Sequence, residues 1–571
     1  MKRHIISFTA VLALALCAQG VEKAHAEPSA QELSSLYAYY LAGSYAQQIQ
    51  DRAAKQKYFT RAFLNQPEDI RIGRRAMVSA IEMGDMSAAV DLAEKVRKTN
   101  KSESMARAIL GVDAFRRGRD SRALKYFSGR SNDVTMTILT QLVKGWVEVD
   151  KKDYKAARET FSSLEAGQYF ENYIELQLAK VDGLQGETEA ALERLDAVDE
   201  LGVASIESLL TRTHILEDAG RTDEAIKGLE DVLADNEGLS IGPVSSYLDR
   251  LKAGQALPKY SARAQAARAL TDPAFEFFAR NRSIDGAELY LQMARWLEPE
   301  QTKSALWLGS ILEDHGEEGQ QVAYNLYTSI KSGDPHYIRA QLSVANIYVN
   351  QDQDDKAIKV LEDLNAREQS FLTRERLGFM RFLRENYEEA LPFYKELVES
   401  MSDEEILANV APLRYRAIIY ERLNRWPEAE ADFKRVLKLV PDDVDTLNYL
   451  GYTWVDRGEN LEEAFDMIRK AVEQDPQSGA IVDSLGWAHY KLGEYQKAKE
   501  NLEKAVALSP SSATIIDHLG DVYWKLGRKR EAGFQWKRAL EFDPTDKERA
   551  TIEIKLKGGL DAVPAAVDAL P

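Results

Sequence analysis

The side chains of this 571-residue chain that could carry acid–base, nucleophilic or metal chemistry are its carboxylates, seven histidines and a single cysteine. The richest combination lies near the C-terminal end, where His489 and His518 stand near Asp483 and Asp517 in adjacent repeat units. A histidine beside a carboxylate can serve as a general base, but a catalytic site also needs a nucleophile or a metal within reach. His214, His315 and His336 are isolated from one another, and no H-E-x-x-H zinc motif or phosphate-binding P-loop occurs. The pattern predicts no catalytic, cofactor-binding or metal-binding residues. The five histidines from His214 onward are expected at the surface or between helices, and the chain is expected not to be an enzyme. Acid pairs such as Asp442-Asp443 and Glu462-Glu463 fit solvated helix starts, where negative charge suits the helix dipole.

Any site must instead be positioned by a repeat. Ala89, Ala123, Ala157, Ala191 and Ala225 recur every 34 residues, and one step back falls on Lys55 beside Ala54. The ladder resumes at Ala287, Ala323, Ala357, Ala390, Ala429, Ala464, Ala498 and Ala532, with looser spacing in the middle. Gly486 and Gly520 precede Pro510 and Pro544 by 24 residues, as Gly43 precedes Pro67. A small residue in each of two helices lets them approach closely, and proline closes the second. Apolar residues follow helical spacing, as in Leu485, Ala488 and Leu492, and strand signals are nearly absent. A period of this length predicts stacked helix–turn–helix units, about fourteen or fifteen of them. The expected organisation is a first block over 27–235, a degenerate repeat or joint over 236–265, a second block over 266–550 and a flexible tail over 551–571.

The ends and the charge bound the setting. Lys2, Arg3, the apolar run Ile5 to Cys17 and Ala24-His25-Ala26 predict a signal peptide over 1–26, cut before Glu27. Such cleavage removes the cysteine and moves the net charge from −18 to −20, that is 71 basic against 91 acidic residues. This balance argues against a nucleic-acid partner and against electrostatic docking on an anionic membrane. Lipidation at Cys17 would anchor the protein, but bulky Leu16 before it departs from the lipoprotein pattern. The expected location is periplasmic, or outer-membrane associated if Cys17 is lipidated.

Leu485, Gly486, Ala498, Leu502, Ala505 and Pro510 in one unit, and Leu519, Gly520, Tyr523, Ala532, Trp536, Ala539 and Pro544 in the next, resemble the tetratricopeptide repeat. The resemblance implies an all-α fold, a right-handed superhelical solenoid of helix pairs. More narrowly, Leu447–Gly451-Tyr452, Asp483–Trp487 and His518–Trp524 resemble an exported proteobacterial adaptor family that partners a carboxyl-terminal processing protease. That resemblance implies an envelope adaptor presenting cell-wall hydrolases to the protease. A structural part of an envelope secretion or polysaccharide-export assembly is the alternative.

Aligning the last three units places Tyr452, Asp456, Asp483, Trp487, Tyr490, Lys491, Asp517, Asp521, Trp524 and Lys525 on groove-facing positions of the first helices. Aromatic side chains are rigid anchors, and the carboxylates are expected to meet Lys or Arg of a protein partner. The two tryptophans have a second reading, as packing between neighbouring helices. Asp483 and Asp517 also stand where a terminal-carboxylate clamp would need cations or amides, so that clamp is not expected. Upstream, Phe379, Phe382 and Leu383 would form a patch if exposed, or core if tucked against Tyr387 and Tyr394.

Overall fold

The computed structural model describes residues 36–129, 131, 133–164, 171–200, 206–234, 242–281, 284–368 and 370–563. The expected signal peptide and Cys17 lie outside them. The described residues form thirty-one α-helices and a short 3-10 turn, with no strand. The all-α reading therefore holds. Successive helices pair, from Leu36–Gln48 with Arg52–Asn65 to Ala513–Lys525 with Lys529–Ala539.

The alanine ladder is the inside of these pairs. Every one of its alanines, from Ala89 to Ala532, is buried. Opposite it, in several pairs, a glycine of the first helix faces a bulky residue of the second, sixteen positions on. A Cβ on Gly145 would lie 2.4 Å from the Phe161 ring, on Gly486 2.6 Å from Leu502, and on Gly520 2.5 Å from Trp536. The ring or branched chain thus fills the space a side chain would need, which sets how closely the helices approach. The 34-residue beat also governs the turn between paired helices. Gly84, Gly118, Lys152, Gly186, Gly220 and Gly254 all adopt positive φ, and Lys152 (φ 62°) takes a conformation that costs a residue with a Cβ. Many helix starts are fixed by an aspartate, as where Asp153 accepts from the Ala156 N–H at 3.1 Å. Asp443, from one of the acid pairs, caps Val444–Arg457 by accepting from the Thr446 N–H at 2.9 Å.

The chain divides into two compact units, Met1–Glu368 and Gln369–Pro571. Within the first, the array folds back on itself. Helix Ile284–Leu297 packs on Ile70–Glu82 and Ser104–Arg116, and helix Ala262–Asn281 packs on Val134–Asp150. The Tyr290 hydroxyl donates to the Thr135 carbonyl at 2.7 Å, and the Arg263 Nε to the Phe115 carbonyl at 2.9 Å. Arg52 donates twice to Glu288, at 2.6 and 3.1 Å. Burial pushes the Glu288 carboxyl up to about 7, against the pull of Arg52. Farther along, buried Glu207 accepts from Lys180 at 2.8 Å and twice from Arg268 at 3.1 Å, tying Ile206–Asp218 to Ala262–Asn281. Burial opposes ionisation of Glu207, but these cations and Lys303 hold its carboxyl well below the usual range. Helix Gly242–Lys252 occupies the segment read as a joint, with residues 235–241 outside the described set.

The glycine contact and the turn make opposite predictions. Gly145→Ala should destabilise the first unit by about 1–3 kcal/mol, because Phe161 must leave a packed position. Lys152→Gly, at a strained turn, should stabilise it by about 0.5–1 kcal/mol. The two urea midpoints should move in opposite directions from wild type.

Candidate protein-binding groove

The ten groove positions lie on three consecutive first helices of the second unit, Val444–Arg457, Gly479–Lys491 and Ala513–Lys525. Their contacts form two sets, one around Trp487 and one around Trp524. Trp487 stacks on Tyr490 with centroids 4.6 Å apart and on His518 at 4.0 Å. Its indole N–H points to Asp456 at 3.5 Å, and Lys491 bridges back to the same carboxylate at 3.0 Å. The Lys491 ammonium also lies 5.6 Å from the Trp487 ring centroid. Tyr452, half-buried, has its hydroxyl pushed up by burial and by the neighbouring charges of Asp483 and Asp456. Trp487 and Trp524 are half-buried, the first stacked on Tyr490 and His518 and the second tilted against Trp536 at 5.5 Å.

The carboxylates depart from expectation. Asp483 does not await a cation from a partner, because both its oxygens lie 3.0 Å from Nδ1 of His518. Asp517 and Asp521 accept from one ammonium, that of Lys555, at 2.7 and 2.8 Å. Asp521 also accepts from the Trp536 indole at 2.9 Å. Burial and the adjacent Asp517 raise the Asp521 carboxyl to about 6 despite Lys555. The chain thus supplies the cations assigned to a partner. Only Asp456, Lys491 and Lys525 of the ten are exposed.

Lys555 lies in a stretch read as tail. Helix Asp546–Gly558 takes the place that the first helix of a further unit would fill, and the 3-10 turn Leu560–Ala562 follows it. Asp561 accepts from the Trp524 indole at 3.3 Å and lies 3.9 Å from Lys525. A sequence signal for this helix exists. Thr545 and Glu548 form a reciprocal capping box, the T-x-x-E pattern that opens a helix. Residues 564–571 lie outside the described set. Upstream, Phe379 and Phe382 are packed edge-on to Tyr415 at 5.4 and 5.2 Å, and Phe382 also meets Tyr387, while Leu383 stays 55% exposed.

His489 pairs with Glu494 at 2.7 Å, so the two C-terminal histidines serve separate contacts rather than one site. Gly238-Leu239-Ser240-Ile241-Gly242 does have the spacing of a nucleophile elbow. Such an elbow joins a strand to a helix. The described element before it is the helix Thr222–Ala234, and Ser240 itself lies outside the described residues.

Family models match three stretches of the second unit. Residues 416–479, 486–527 and 513–546 match tetratricopeptide repeat models. Over 84 residues the chain is 37% identical to the "TPR repeat-containing protein PA4667" of Pseudomonas aeruginosa, covering 15% of this chain and 14% of that one. Among solved structures it is similar to the Cut9–Hcn1 hetero-tetramer of the APC/C (TM-score 0.37, 14% identity, 91% of this chain and 96% of that one). It is also similar to yeast Tom70 (TM-score 0.28, 14% identity, 92% and 95%). MamA from Desulfovibrio magneticus gives a TM-score of 0.26 at 22% identity, over 30% and 92%.

His518 makes a pH prediction. Burial alone would lower its pKa, but Asp483, with Asp517 and Asp521 beyond, raises it above the ordinary 6.5. The pairing therefore stabilises the fold fully below pH 6.5 and is lost as pH rises through the raised value. Asp483→Asn should lower the His518 pKa measured by NMR and flatten the fall in urea midpoint on the alkaline side. Tetratricopeptide repeats are thus recognised within residues 416–546, the part of the chain that carries the groove.

Proposed function

We propose that the chain is a non-catalytic, protein-binding scaffold of the bacterial cell envelope. In the finer form of this proposal it presents clients, cell-wall hydrolases among them, to a periplasmic carboxyl-terminal processing protease. The observation that carries the scaffold reading is the stacked pair Trp487–Tyr490, with Tyr452 on the preceding first helix, all half-buried and rimmed by exposed Asp456 and Lys491. Rings held by stacking lose little freedom on binding, and they are the side chains that dominate protein interfaces. The adaptor and protease reading is supported by the motifs Asp483–Trp487 and His518–Trp524. Export is supported by the signal pattern of residues 1–26.

The internal pairing changes what such a partner looks like. With Asp483, Asp517 and Asp521 engaged and Asp456 paired with Lys491, a partner meets the half-buried rings and a rim whose charges are already matched. Trp487→Ala should weaken capture of the principal protein partner from periplasmic extract by at least about 2 kcal/mol, roughly thirtyfold in Kd. The identity of the captured protein separates the two envelope readings. A processing protease or its hydrolase clients fit the adaptor, and secretion or polysaccharide-export components fit the assembly. Capture that is unchanged by the substitution would sink the groove as the binding surface.

A further inference from the structure

The second helices of the last three pairs, Leu461–Gln474, Tyr495–Leu508 and Lys529–Ala539, share one register, with Ala464, Ala498 and Ala532 buried at equivalent positions. Their outward positions can therefore be compared directly. Two residues beyond the alanine stand Asp466 and Glu500 in the first two helices, and Phe534 in the third. Phe534 is 66% exposed, the most exposed large apolar side chain among the described residues. Arg530 and Lys537, one turn to either side, are exposed with it. Ala532, Trp536 and Ala539 fill the buried face of the helix. An apolar ring between two cations thus stands where the preceding repeats carry a carboxylate, in a chain of net charge −18. Neither helix packing nor solvation requires the ring there.

A counterpart to this ridge lies two repeats earlier. An open cleft of about 660 Å³ is lined by Leu447, Leu461 and Met467, with Glu462, Glu463 and Asp466 also in its wall. The three carboxylates are exposed, and the apolar residues are buried or half-buried. Asp466 shares its charge with Arg469 at 3.0 Å, and Lys470, also in the wall, is engaged by Asp442. An apolar floor between acids suits an aromatic ring between cations in shape class and in sign.

We infer that the ridge Arg530–Phe534–Lys537 of one copy docks into the Leu447–Leu461–Met467 cleft of a second copy. One copy cannot satisfy itself, because a whole packed repeat, residues 479–508, separates its ridge from its own cleft. The contact joins two different surfaces, so each added copy leaves a free ridge and a free cleft, and association continues beyond a dimer unless the rotation closes a ring. This self-association uses the second-helix face and leaves the aromatic groove on the first helices open.

Sedimentation velocity of the purified protein over a concentration series, at low and high salt, tests it. The average mass should rise with concentration at low salt and fall back at high salt, as screening weakens the charge pairs. Phe534→Ala should move the association midpoint to at least about tenfold higher concentration. Arg530→Glu with Lys537→Glu should give a monomer, and so should Glu462→Lys with Glu463→Lys. A mixture of these two variants should associate again, since each then offers the charge the other lacks. That rescue also shows that both variants are folded. A wild type that stays monomeric throughout, association indifferent to Phe534→Ala, or a mixture that stays monomeric would each overturn the inference.

Discussion

The structure depends on one steric constraint, the contact between a glycine of one helix and a large side chain of its partner. Where Gly145 meets Phe161 or Gly520 meets Trp536, there is no room for a Cβ, so the distance between the paired helices is set at those repeats. The buried alanine one helix over keeps the next approach equally close. A stack built this way gains stability by adding neighbours, since no pair buries its apolar face alone. The surface positions are then free to vary, and in this chain they vary in a way that separates the two units.

In the first unit the freed surface is spent inward. Helices Ala262–Asn281 and Ile284–Leu297 lie against the first helices of earlier pairs, held by Arg52–Glu288, Tyr290 and Arg263. The face that a repeat array commonly offers to a partner is here a packing face. In the second unit Helix Asp546–Gly558 closes only the end, where Lys555 neutralises Asp517 and Asp521. The rings before it stay half-buried. The groove therefore has a finished acidic end and a half-buried aromatic middle.

The fold was legible because its constraint is periodic. Alanine and glycine return at fixed spacing, and the structure places them at the helix contacts that spacing implies. The placement of the ten positions on first helices was legible for the same reason. The state of the groove carboxylates was not, because it depends on Lys555 and Asp561, which follow the last repeat and obey no 34-residue beat. The Thr545–Glu548 capping box was the available sign that a helix continues there. The return of residues 262–297 onto the early repeats is likewise set by pairs such as Arg52 and Glu288, 236 residues apart, which no local pattern encodes.

The central claim is that the half-buried rings of the second unit form the protein-binding surface. Its most direct test is a photo-reactive amino acid placed at Tyr452 in one protein and at Lys504, on a second helix, in another. Both proteins are irradiated in living cells, and the products are identified by mass spectrometry. The account predicts that position 452 captures a distinct protein partner and that position 504 does not. Capture of the same partner at 504 with none at 452 would contradict it.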